Sequence, residues 1–133
     1  MTRLIWLVLT LALAATACTT TPVAMGTLQG NVHIGPITPV EKPGYKPPVS
    51  PEVFAARKIL VYSRDRSKLI AQVDIKQIGQ SDEGFFTVQL KPGTYLVDIN
   101  RVGIDHSGEV PKQIEIKPEQ TIEVNIDIDT GIR

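Results

Sequence analysis

A chain of 133 residues and 14.6 kDa has room for one domain, and its 42% apolar and 21% charged residues set it among globular rather than disordered chains. Ten Pro and ten Gly exceed what a helical bundle tolerates, since both residue types interrupt helices and favour turns, so composition already favours an all-β class. Fourteen basic side chains balance fourteen acidic ones, which removes the electrostatic reason to expect nucleic acid or an anionic membrane as partner.

Arg3 is the only charge in residues 1–17, and residues 4–17 are rich in Leu and Ala and end in small side chains. Those fourteen residues reach about 21 Å as a helix, short of the roughly 30 Å of a hydrocarbon core, so the segment reads as a cleaved secretory signal and not a permanent span. Ala15-Thr16-Ala17-Cys18 follows, then Thr19-Thr20-Thr21-Pro22, and Cys18 is the sole cysteine. One reading is an ordinary cleavage site, Ala15-Thr16-Ala17, that leaves an idle thiol. The other is a resemblance: the segment resembles the lipobox of bacterial lipoproteins, with Ala15 where Leu is usual. That resemblance implies a diacylglycerol thioether on Cys18, cleavage just before it and acylation of the new amine. A lone thiol exported to an oxidising compartment is a liability that lipidation removes. Thr19 is not the Asp that retains Gram-negative lipoproteins at the inner membrane, so the resemblance implies the periplasmic face of the outer membrane for a Gram-negative source. Loss of Arg3 leaves thirteen basic against fourteen acidic side chains, so the expected grip on the membrane is lipid and not charge. Residues 18–25 are then the lipidated cysteine and a short tether, 19–25, that reaches at most about 25 Å.

From residue 26 the apolar pattern has period two. The alternation predicts seven strands, over 28–34, 58–62, 69–75, 86–90, 95–99, 114–116 and 122–129. The last is the clearest, with Ile122, Val124, Ile126 and Ile128 on one face and Glu123, Asn125, Asp127 and Asp129 on the other. Gly-bounded and Pro-bounded turns separate the runs at 79–84, 91–93, 103–111 and 117–119. Short strands with turns about every ten residues predict a seven-stranded antiparallel β-sandwich over 26–133. Pro51 and Glu52 open the one brief run of helix formers, predicting a turn of helix at most. Residues 35–51 hold six of the ten prolines, which lack the amide proton a ladder needs; they predict a long surface connection.

Several segments together resemble small bacterial envelope proteins with a carboxypeptidase-regulatory-like, transthyretin-like sandwich. They are Gly30-x-Val32-x-Ile34-Gly35-Pro36-Ile37-x-Pro39-Val40-Glu41, the strand Lys58-Ile59-Leu60-Val61-Tyr62, the turn Lys91-Pro92-Gly93-Thr94-Tyr95, and the closing Asp129-Thr130-Gly131-Ile132-Arg133. The resemblance covers nearly all of residues 26–133. It implies a domain that accompanies carboxypeptidases without carrying their zinc, and fold analogy transfers no activity. Related sequences carry a cysteine at the position of Thr38 and another later in the Pro-rich loop. This chain has neither, so the loop is expected to be more mobile or to be packed by Val40, Val49 and Phe54 instead.

The inventory for catalysis is thin. His33 and His106 are the only histidines, and with Cys18 consumed no His and Cys zinc site assembles at ordinary spacing. Asp105, His106 and Ser107 are three neighbours, and a hydrolase triad needs groups brought together from separate positions. The histidine and Tyr-Arg-Gly-Ser motifs of transthyretin-like purine hydrolases are absent. Glu123, Asp127 and Asp129 are spaced along a strand at about 6.6 Å, wide for ligands to one calcium ion. An intramolecular bond between Lys58 and Asn125 would require Asn125 to leave the wet face. No cofactor or metal is expected.

The favoured expectation is a lipid-anchored, noncatalytic envelope module for binding or scaffolding, with Glu41, Lys42, Tyr45 and Lys46 as candidate contacts, since loops on rigid scaffolds often carry recognition. A competing reading of these four is that Tyr45 covers the edge of the core and the charges keep the loop soluble. A carbohydrate-binding module is the alternative function, though three Tyr and three Phe offer few platforms, and a hydrolase comes third.

Overall fold

The computed structural model describes residues 20–40 and 42–133; the predicted signal, Cys18 and Glu41 lie outside them. Among the described residues there are nine strands and one short helix: β1 (Gly26–Gly35), α1 (Pro51–Ala55), β2 (Lys58–Ser63), β3 (Leu69–Asp74), β4 (Lys76–Gln77), β5 (Glu83–Leu90), β6 (Gly93–Ile99), β7 (Lys112–Ile116), β8 (Thr121–Glu123) and β9 (Ile126–Asp129). They form an all-β, two-sheet structure. One sheet runs β4-β5-β1-β8, with β9 also pairing β1, and the other runs β3-β2-β6-β7. None of the helices among the described residues is long and apolar enough to cross a membrane.

Two parts of the sequence expectation need correction. The seven predicted runs are all strands, but the last is divided into β8 and β9, and β4 is an addition made by its pairing with β5. Nor is the sandwich wholly antiparallel: β1 pairs β8 and β9 in parallel. The register is the same on both sides of the β8/β9 break, each β1 residue facing one 94 positions later. At the break the chains come unusually close. A Cβ on Gly30 would collide with the Val124 carbonyl oxygen, Val124 N–H donates to Gln29 O (2.8 Å), and the Asn125 side chain takes over as acceptor for Asn31 N–H (2.9 Å).

The core follows from the alternation. Leu28, Val32, Ile34, Phe86, Ile126 and Ile128 point inward from the first sheet, and Ile59, Val61, Val97, Ile99, Ile114 and Ile116 from the second; all are buried. Each such side chain contributes about 1.5–3 kcal/mol. The facing charges of β1 and β9 stay wet.

Strand direction sorts the connections by end. The segment leading into Gly26 shares one end with the turn joining β5 to β6, the β7–β8 turn and the β2–β3 turn: Glu119 N–H donates to Met25 O (2.9 Å), and Ser63 N–H donates to Lys68 O (2.8 Å). The Pro-rich connection, the β4–β5 loop, residues 100–111 and residues 130–133 gather at the other end. There α1 turns Phe54 into the core and lays Arg57 against Asp105, two bonds of 2.7 and 2.9 Å between buried side chains. The Pro-rich connection is held without a disulfide: Val49 is buried, its N–H donates to Gln80 O and its carbonyl accepts from Gln77 Nε2 (both 2.9 Å). Thr130 Oγ1 donates to Pro36 O (2.6 Å). Val49 and Phe54 thus supply the expected packing, whereas Val40 is 76% exposed and does not.

Candidate functional site

Where β1 and β9 reach the loop end, a polar cleft of about 520 Å³ opens between the strand ends, the Pro-rich connection and residues 106–109. His33 occupies its floor because it lies on the wet face of β1, directly opposite Asp127 of β9. His33 Nδ1 is 2.9 Å from Asp127 Oδ1, and Nε2 is 3.3 Å from Asp82 Oδ2 on the β4–β5 loop. Lys46 Nζ donates to both oxygens of Asp82 at 3.4 Å, so the Pro-rich connection closes one wall. On the opposite wall, Ser107 Oγ donates to Glu109 Oε2 (2.6 Å), which also accepts the Asp127 N–H (3.3 Å). His106 and Asp129 exchange backbone hydrogen bonds of 3.0 and 2.9 Å, with the His106 ring 3.6 Å from the Asp129 carboxylate. Arg133 Nη2 donates to Asp129 Oδ2 (2.9 Å).

The charges tune one another. The hydrogen bond to Asp127 raises the His33 pKa above its ordinary 6.5; partial burial opposes this, and the Asp127 and Asp82 charges add to the rise. Burial alone would push Asp82 up, but its own backbone N–H, Lys46 and His33 together hold its carboxyl below the usual range. Ser107 does the same for Glu109. The Arg133 hydrogen bond, helped by Gly131 N–H, brings Asp129 down to about 2. In its protonated form His33 donates from both ring nitrogens, to Asp127 and Asp82, and Ser107 donates its hydroxyl proton to Glu109, so these bonds tie the walls of the cleft together. Among the described residues no group of three or more His, Cys, Asp or Glu side chains could hold a metal ion.

Of the predicted loop contacts, Lys46 joins the cleft. Lys42 and Tyr45 instead line a separate hollow of about 550 Å³ with Thr38, Val40 and Pro47. A tight turn presents them: Tyr45 N–H donates to Lys42 O (3.0 Å), with Pro43 and then Gly44 at φ +79° between, the order a type II turn requires. Tyr45 is 62% exposed and does not cover the core edge. Lys58 pairs with Asp74 (2.7 Å) in the second sheet while Asn125 is bonded to Asn31 and Glu123 in the first, so the two are not brought together. The His33, Asp82 and Asp127 cluster leaves no mark in the sequence pattern. Alternation placed His33 and Asp127 on wet faces; only the parallel register made them neighbours.

Fold and cleft define a two-sheet β-sandwich with a charge-laced recess at its loop end. No protein-family model and no curated protein matches the chain. Among solved structures it is similar to a minor pilin of Streptococcus agalactiae, at 15% identity and a TM-score of 0.44 over 80% of this chain and 44% of the pilin. A DUF3823 family protein from Parabacteroides merdae is similar at 18% identity and a TM-score of 0.42, over 80% of this chain and 46% of that one. A leucine-rich repeat protein from Bacteroides thetaiotaomicron follows at 11% identity and 0.38, over 83% and 14%. The chain spans less than half the length of each.

Proposed function

We propose that this is a lipid-anchored, noncatalytic module of the bacterial cell envelope, a carboxypeptidase-regulatory-like sandwich that binds or scaffolds a partner at its loop end. The direction of β1 carries the reading. It leaves the tether at Gly26 and ends at Gly35 in the polar cleft, ten residues and about 30 Å away. A lipid on Cys18 would hold the turn end against the bilayer and turn the Pro-rich connection, with Lys42, Tyr45 and Lys46, toward the compartment. Long connections gathered at one end of a rigid sandwich are a common recognition surface. The test is fractionation of cells with photo-crosslinking at Tyr45. The wild type should sediment with membranes, Cys18→Ser should be released, and crosslinking from Tyr45 should give one discrete adduct that the same probe at Glu119 does not. A soluble wild type, or turnover of an ester or amide abolished by His33→Gln, would overturn the proposal.

A second reading, a carbohydrate-binding module, is favoured by the exposed Tyr45 ring beside its hollow, where a sugar ring can stack. Saturable glycan binding lost on Tyr45→Ala would select it.

A further inference from the structure

The charge that balances over the whole sequence does not balance along the sandwich axis. At the tether end, residues 64–68, 91–92 and 117–120 carry Arg64, Arg66, Lys68, Lys91 and Lys117 against Asp65 and Glu119, with Glu115 one ladder position inside β7 as a third acid. Arg66 is spent: its guanidinium lies 5.4 Å over the Tyr62 ring and donates to the buried Asp98 carboxylate. Asp65 is held within its own turn by the Ser63 and Ser67 hydroxyls (both 2.7 Å). Arg64, Lys68, Lys91 and Lys117 are exposed and have no carboxylate partner among the described residues. Next to Lys68, Leu69 and Ile70 are 46% and 42% exposed at the edge of the second sheet. The opposite end holds the carboxylates of the cleft, Asp82, Glu109, Asp127 and Asp129, which Lys46, His33 and Arg133 offset in part.

We propose that the tether end docks on an anionic phospholipid surface, with Arg64, Lys68, Lys91 and Lys117 at the headgroup phosphates and Leu69 and Ile70 at the interface. The inference rests on the reading of Cys18 as a lipid anchor. Met25 is pinned to the β7–β8 turn, and only seven residue steps separate it from Cys18, so a lipid on Cys18 cannot leave this end more than about 25 Å from the bilayer. Fields from anionic lipid fall off within about 8 Å in physiological salt, a distance the tether lets this end reach, whereas the cleft lies about 30 Å further along the sandwich and outside them. The arrangement therefore stands the sandwich upright: basic and apolar groups face the bilayer, and the cleft faces away. Total charge conceals this, because attraction depends on which groups lie within reach of the surface.

The test uses the purified lipidated protein in vesicles of phosphatidylcholine alone and in vesicles of phosphatidylcholine and phosphatidylglycerol in equal parts. A water-soluble amine-acylating reagent is applied, and modification of Lys68, Lys91 and Lys117 is followed by peptide mass, with Lys42 at the far end as internal reference. On anionic vesicles the three should react about five-fold more slowly relative to Lys42, the bias expected of one basic group at such a surface, and molar salt should abolish the difference. Equal relative rates on both vesicle types overturn the proposal. So does a Lys68→Glu/Lys117→Glu chain whose Lys91 stays as protected as in the wild type while the chain still floats with the vesicles. Failure of the anchor looks different: the protein carries no acyl mass and floats with neither vesicle, and the docking inference falls with it.

Discussion

His33 and Asp127 face each other across neighbouring parallel strands, 94 residues apart in sequence, with Nδ1 and Oδ1 separated by 2.9 Å. The same ring reaches Asp82, and Asp82 holds Lys46, so one imidazole links the last strand, the β4–β5 loop and the Pro-rich connection. The cleft therefore contains a titrating latch.

The latch sets a pH dependence at both edges. The folded pKa of His33 lies above its ordinary 6.5, so its contribution is fully present below 6.5 and is lost as pH rises through the raised value. Asp82 and Asp129 are depressed, so their contributions are present above 3.8 and fade as pH falls, for Asp129 toward about 2. Thermal unfolding midpoints of the wild type should decline on the alkaline side of 6.5, with faster amide exchange in residues 78–83, and His33→Gln should remove that slope. Superimposable profiles for the two proteins would refute the latch.

Arg57 and Asp105 form a two-pronged pair whose side chains are both nearly inaccessible, joining α1 to residues 101–111. Truncating one partner strands a buried charge, so Asp105→Ala should cost about 3–5 kcal/mol, read as a lower urea midpoint with unchanged slope. Arg57→Met with Asp105→Leu should recover most of that loss, since an apolar pair of similar volume avoids the desolvation cost. A double variant as unstable as Asp105→Ala would show that the loop needs the ions themselves.

Gly30 and Gly108 make a controlled comparison. A methyl at Gly30 would run into the Val124 carbonyl and lie 3.0 Å from the Phe86 ring, whereas at Gly108 it meets nothing within 4 Å. Gly30→Ala should destabilise by about 1–3 kcal/mol through forced backbone movement, and Gly108→Ala should stay within about 0.5 kcal/mol of the wild type. Equal midpoints would contradict the close approach that separates β8 from β9.

The strands were legible because a half-buried strand must alternate, and all seven predicted runs became strands. β4 was invisible: two residues, Lys76 and Gln77, carry no period and exist by pairing with Phe85 and Gly84. The parallel placement of β8 and β9 was also hidden, because alternation reads the same whichever way a neighbour runs. Consequently His33 and Asp127 could be assigned to wet faces but not to each other. Arg57 and Asp105 come from a single helical turn and an irregular loop, where no periodicity marks a partner. Lys46 stands out in the sequence only as a charge in a Pro-rich loop, and its bond to Asp82 depends on how that loop folds back, which spacing does not reveal.

The intact mass of the native product purified from cells tests the lipid anchor on Cys18 without an intermediary. The expected product begins at Cys18 and carries diacylglycerol and, where the amine is modified, one further acyl group. A product that still begins at Met1, or that begins at Cys18 with no added acyl mass, would contradict the anchor.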